Sequence, residues 1–162
     1  MKERFLHDIL PLKDRLFRLA LRITLNREEA EDIVQETLIK LWEQRAQWDA
    51  IDNMEAYALT VCRNLSLDHH KRIVAQTVPL SAGQSTESAT PTPLEQTILN
   101  EKMSRLQLLI DALPERQRTC LQLRDFEGQS YRDIATILGI TEEQVKVNIF
   151  RARQAIRQHL DH

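Results

Sequence analysis

Apolar residues recur every three or four positions over most of the chain, which is the spacing of helices with one buried face. The series Leu12, Leu16, Leu19, Ala20 and Ile23 marks such a face over roughly residues 10–25. A second series, Ala30, Ile33, Val34, Leu38, Leu41 and Trp42, runs through NREEAEDIVQETLIKLWEQR at 26–45. Asn26 can cap that helix, and the acids behind it suit the positive end of the helix dipole. A third series, Tyr57, Ala58, Val61, Cys62 and Leu65, predicts a helix from Met54 to about Ile73. Each stripe has a polar face opposite, so the three helices are expected to bury their stripes against one another in a small bundle.

The periodicity then stops. TVPLSAGQSTESATPTP, following Ile73, holds three of the five prolines, one of the three glycines and no basic residue. Proline removes backbone donors, and Ser, Thr and Gly add little to a core, so residues 76–94 are expected to be a flexible linker. Periodicity resumes at about 95 and runs to Leu113-Pro114, where a helix must end. A second helix passes through ERQRTCLQLRDF to a turn at Gly128, and two short helices flank Leu138-Gly139-Ile140. Ser130 with Asp133, and Thr141 with Gln144, have the spacing of capping boxes that start those two helices. The predicted fold is all-α: two small helical domains, 1–75 and 95–162, the second a helix–turn–helix.

Composition supports that class. Three glycines and 5% aromatics in 162 residues argue against a sandwich or barrel. A net charge of −2 hides a local pattern: no acid occurs from 144 to 160, while Lys146, Arg151, Arg153 and Arg157 do. Cys62 and Cys120 stand alone, without the spacing of a zinc site or disulfide framework, and are read as buried thiols in a reducing compartment. No apolar run approaches the roughly 20 residues of a membrane span, so the expectation is a cytoplasmic protein without membrane insertion. There is no Gly-rich phosphate loop or nucleophile motif, so neither enzyme activity nor a cofactor is expected.

The last helix carries the functional signal. Val145, Ile149, Ala152, Ile156 and Leu160 share one face, which leaves Lys146, Val147, Asn148, Phe150 and Arg151 outward. The second helix of a helix–turn–helix enters the major groove, where Gln and Asn can pair with adenine and Lys or Arg with guanine. Glu142 and Glu143 suit the positive helix end or can accept from cytosine amino groups. A solvated basic face is the competing interpretation.

Taken together, these motifs resemble the extracytoplasmic-function sigma factors, the smallest group of the bacterial sigma family, over nearly the whole chain. LPERQRTCLQLRDFEGQSYRDIATILGITEEQVKVNIFRARQAIR is similar to the family's region 4. The resemblance implies that it binds the upstream (−35) promoter element with Tyr131, Gln144, Lys146, Val147, Asn148, Phe150, Arg151 and Arg153. AEDIVQETLIKLW is similar to the polymerase-binding helix of region 2, which implies that Asp32, Gln35, Glu36, Ile39 and Glu43 meet the clamp helices of the largest subunit of core RNA polymerase. AYALTVCRNLSLDHHKR resembles the segment that melts the downstream (−10) element, which implies DNA contacts by Arg63, Asn64, Lys71 and Arg72. Tyr57 stands where the family often has Trp, Thr60 where a basic residue is common, and Val147-Asn148 where many members have a small polar residue and Arg. His69 and His70 are adjacent on a helix and diverge by about 100°, so they are read as exposed or phosphate-facing rather than as a metal pair. The resemblance also implies an anti-sigma protein acting in trans.

Two other readings stay open at this stage: a homodimeric helix–turn–helix regulator, and a helical adaptor whose basic C-terminal helix binds an acidic partner. Limited proteolysis of the free protein is expected to cut first within 76–94. Earlier cutting inside either flanking unit would contradict the linker assignment.

Overall fold

The computed structural model describes residues 2–76 and 98–160, and among these the regular elements are all helical. Short helical turns over 2–12 lead into α1 (Lys13–Thr24) and α2 (Arg27–Glu43), and a 3₁₀ segment (Arg45–Ala50) joins α2 to α3 (Met54–Gln76). The second unit has α4 (Ile98–Asp111), α5 (Glu115–Leu121), a π-helical turn (Gln122–Phe126), α6 (Tyr131–Leu138) and α7 (Glu142–Leu160). Apart from Gln76, which ends α3, the predicted linker lies outside the described residues.

The helix starts obey local chemistry. Asn26 Oδ1 accepts from the Glu29 N–H at 3.0 Å and caps α2. At α7 the capping box is complete: the Thr141 N–H donates to Gln144 Oε1 at 3.0 Å, and the Gln144 N–H to Thr141 Oγ1 at 3.1 Å. The predicted box at α6 is only half made. Ser130 Oγ accepts from the Asp133 N–H, but the Asp133 carboxylate takes Asn53 Nδ2 at 3.3 Å from the first unit. Gly139 (φ 71°) ends α6 in the left-handed region, which glycine enters without a Cβ clash.

In the first unit the predicted stripes meet: Leu16, Leu19, Ala20 and Ile23 of α1 are buried with Ala30, Ile33, Val34 and Leu41 of α2 and Ala58, Leu59 and Cys62 of α3. Trp48, from the 3₁₀ segment, is fully buried and donates its indole N–H to the Leu41 carbonyl at 3.0 Å. In the second unit Val145, Ile149 and Ala152 are buried as expected. Leu160, the last of that stripe, is exposed at a groove of about 380 Å³ shared with Leu106, Ile110, Phe126 and Ile156.

The two units do not stand apart; a polar seam joins them. Arg18 of α1 donates from Nε and Nη2 to the two oxygens of Glu127 at 2.7 and 2.8 Å, and Gln122 Nε2 adds a third bond to that fully buried carboxylate at 2.9 Å. Donating these hydrogen bonds to Glu127 raises the Arg18 pKa above its ordinary value. Arg22 reaches Gln122 at 2.9 Å and Asp111 at 3.0 Å, while Arg118 Nε donates to the Arg22 carbonyl at 2.8 Å. Glu55 accepts from both Arg15 and Gln129. The apolar core is continuous beneath these bonds, with Cys120, Leu123 and Ile134 in the same cluster as the first unit's stripes.

A buried charge that loses its partner is strongly destabilising, by about 3–5 kcal/mol, unless it regains water. Arg18→Ala leaves Glu127 in that position, and parting of the units is the route to rehydration. The expected outcome is a larger radius of gyration than wild type in small-angle X-ray scattering at matched ionic strength, with helical content retained by circular dichroism.

Candidate polymerase and nucleic-acid interfaces

Burial of Ile33, Val34, Thr37 and Leu41 fixes which side of α2 faces solvent. Asp32, Gln35, Glu36, Ile39 and Glu43 all lie on that exposed side. Ile39 is 57% exposed on a helix face that also carries Asp32, Glu36 and Glu43. Beside this face lies a groove of about 380 Å³ lined by residues of α1 and α2, including Phe17, Val34, Gln35 and Leu38.

On α3, Asn64, Lys71 and Arg72 are exposed. Arg63 is not: it retains 7% exposure and donates from Nη2 and Nε to Glu115 at 3.0 and 3.3 Å. The turn of about 100° per residue that leaves Asn64 in solvent directs Arg63 into the seam with the second unit. Glu115 also accepts from Thr119 Oγ1 at 2.6 Å, so the arginine meets a positioned carboxylate. His70 is exposed as expected, whereas His69 is half-buried, with Nδ1 3.5 Å from Glu29 Oε1 and no hydrogen bond formed by either atom. The cause is the packing of the end of α3 beside the start of α2. Tyr57 is tied by its hydroxyl to Gln44, and Thr60 Oγ1 donates to the Ala56 carbonyl at 2.8 Å.

On α7, Lys146, Val147, Phe150 and Arg151 project into solvent. The other sequence-derived readers have partners within the chain. Gln144 serves the capping box, and Asn148 Nδ2 donates to the Gln144 carbonyl at 2.8 Å. Arg153 holds Asp125 with bonds of 2.5 and 3.2 Å, and that hydrogen bonding raises its pKa. The Tyr131 ring lies beneath two cations, with Arg124 at 4.2 Å and Lys146 at 5.6 Å from its centroid. Arg124 was not singled out by the sequence, because only the turn after α5 carries it to that ring.

The chain has relatives among known proteins. Residues 9–74 match the family described as Sigma-70 region 2, and residues 103–156 match Sigma-70, region 4. The ECF RNA polymerase sigma factor SigL of Mycobacterium tuberculosis is 34% identical over 146 residues, covering 88% of this chain and 80% of that protein. SigE of Mycolicibacterium smegmatis, another ECF sigma factor, is 32% identical over 151 residues, covering 91% of this chain and 58% of its own length. The solved sigma factor RpoE of Bartonella quintana, in complex with the anti-sigma factor NepR, superposes with a TM-score of 0.77 at 27% identity and covers 99% of this chain and 98% of that one. The chain belongs to the ECF RNA polymerase sigma factors of the sigma-70 family. It is therefore a transcription initiation factor that binds core RNA polymerase and directs promoter-specific initiation, and the chemistry of RNA synthesis belongs to the polymerase.

Both thiols lie in the core, and Cys62 Sγ donates to the Leu16 carbonyl at 3.3 Å. Burial pushes the Cys62 thiol up to about 12 and Cys120 up to about 11. A raised thiol pKa means that the reactive thiolate is scarce at neutral pH. Among the described residues no helix is long and apolar enough to cross a membrane, and no cluster of three metal-ligating side chains occurs. Both cysteines are expected to resist a thiol reagent at pH 8 in the native protein and to react at once in urea. Rapid native labelling of either would contradict its place in the core.

Proposed function

We propose that residues 1–75 act as region 2 and residues 95–162 as region 4, and that three surfaces divide the work. The exposed side of α2, with Asp32, Gln35, Glu36, Ile39 and Glu43, docks on the clamp helices of the largest polymerase subunit. Arg63, Asn64, Lys71 and Arg72 hold the melted downstream element, whose unstacked bases and phosphates require polar edges and positive charge. Tyr131, Gln144, Lys146, Val147, Asn148, Phe150, Arg151 and Arg153 serve the upstream element. The observation that carries this reading is Ile39, a large apolar side chain 57% exposed within an acidic helix face, the mixture expected of a partner surface. Family membership disfavours the dimeric regulator and the adaptor, neither of which requires that face.

The closed arrangement bears on the order of events. Arg63 is held by Glu115, so its role at the downstream element requires the two units to part. Ion pairs suit such an opening, because both charges regain water when the surfaces separate. Polymerase binding, through a face that is open in the closed form, would come first. An anti-sigma protein is the partner that would act against these steps; the RpoE relative solved with NepR supports that assignment. The site of action is the cytoplasm, where core polymerase works.

Changing Asp32, Gln35 and Glu36 together to Ala is expected to leave the fold intact, since exposed substitutions alter stability by about 0.5 kcal/mol each. Affinity for sigma-free core polymerase should fall by roughly tenfold or more, read by co-elution and by promoter-directed transcription. Unchanged co-elution would remove the α2 assignment.

A further inference from the structure

In the first half of α7 two large apolar side chains project into water. Val147 is 44% exposed and Phe150 64%, and their spacing of three places them together on one side of the helix. The fold does not need them there, since the stripe that packs α7 is Val145, Ile149 and Ala152.

Three of the polar groups assigned to the upstream element are engaged within the free chain. An Asn148 amide reading adenine would have to leave the Gln144 carbonyl, 2.8 Å away. Gln144 would have to give up the bond that caps the helix, and Arg153 would have to leave Asp125. Val147 and Phe150 need break no such bond to meet a duplex, and they are flanked by the exposed Lys146 and Arg151 in a stretch without acids from 144 to 160. The flanking charge suits a polyanion. In the major groove, the apolar group that a base pair presents is the C5 methyl of thymine.

We propose that Val147 and Phe150 read the upstream promoter element through thymine methyl groups, so that selectivity at those positions comes from apolar contact rather than from amide pairing with adenine. This rests on the reading of α7 as the upstream-element helix. Residues three apart on a helix have Cβ atoms about 5–6 Å apart, and base pairs rise about 3.4 Å. The two side chains therefore reach neighbouring or next-neighbouring base pairs.

The test uses holoenzyme assembled from the full chain and core polymerase. Upstream elements are first selected from a randomised promoter library, and each thymine in the winning element is then replaced singly by deoxyuridine, which removes only the methyl. Wild-type holoenzyme is expected to lose roughly fourfold in affinity at each contacted position, the factor that one buried methyl supplies. Val147→Ala and Phe150→Ala should each bind thymine and uracil equally at one position and still discriminate at the other. Both residues are exposed, and a thermal melt establishes that the variants fold. Uracil tolerated at every position by wild type, or discrimination unchanged in both variants, overturns the proposal while leaving α7 as a promoter-binding helix. Failure to select any upstream sequence would instead overturn that underlying reading and this inference with it.

Discussion

The Glu127 carboxylate sits out of water between two helical units, and among the described residues its cationic partner is Arg18 from the other unit. Desolvating a carboxylate costs several kcal/mol, and the cost is offset only by good geometry and further hydrogen bonds. Here the guanidinium is bidentate and Gln122 adds a third bond. The rest of the seam is polar but less buried: Arg22 pairs with Asp111 and Arg63 with Glu115 across the units, and Glu55, paired with Arg15 of its own unit, accepts from Gln129. Such contacts set the relative placement of the units strictly, because each charge needs its own partner. They add little net stability, because every group has a good alternative in water.

That balance suits a protein that must change partners. The apolar core that runs beneath the seam resists opening in proportion to the area it buries across the units. A seam rich in arginine–carboxylate pairs weakens with ionic strength and with competition from other charges. Promoter DNA is rich in charge, so the groups that hold the seam are of the kind that the proposed DNA contacts would use. Arg63 illustrates this most directly, since Glu115 now occupies the guanidinium that the proposed DNA contact would need.

Local features were legible in the sequence. The helix stripes, the Asn26 cap, the Thr141–Gln144 box and the left-handed Gly139 depend on residues within a few positions of one another. The exposed side of α2 was legible for the same reason, as the complement of its buried stripe. The seam was not. Arg18 meets Glu127 across more than a hundred residues, and a count of charges by segment gives no sign of which cation finds which acid. Arg63 read as one more basic residue in a DNA-binding helix because periodicity cannot show a second unit docked on that side. Asp133 likewise completed a capping pattern on paper, while in the fold its carboxylate turns to Asn53.

The π-helical turn over Gln122–Phe126 carries one residue more than an α-helical path would need. It closes with the Glu127 N–H donating to the Gln122 carbonyl at 3.0 Å. Removing a single residue there would let α5 continue in regular register and would swing everything beyond it by about 100°. Glu127 would then point away from Arg18, and Arg124 would leave the face of Tyr131. Insertions and deletions that the loops between helices would absorb are therefore excluded from these five positions, although they touch neither polymerase nor DNA in the surfaces assigned above.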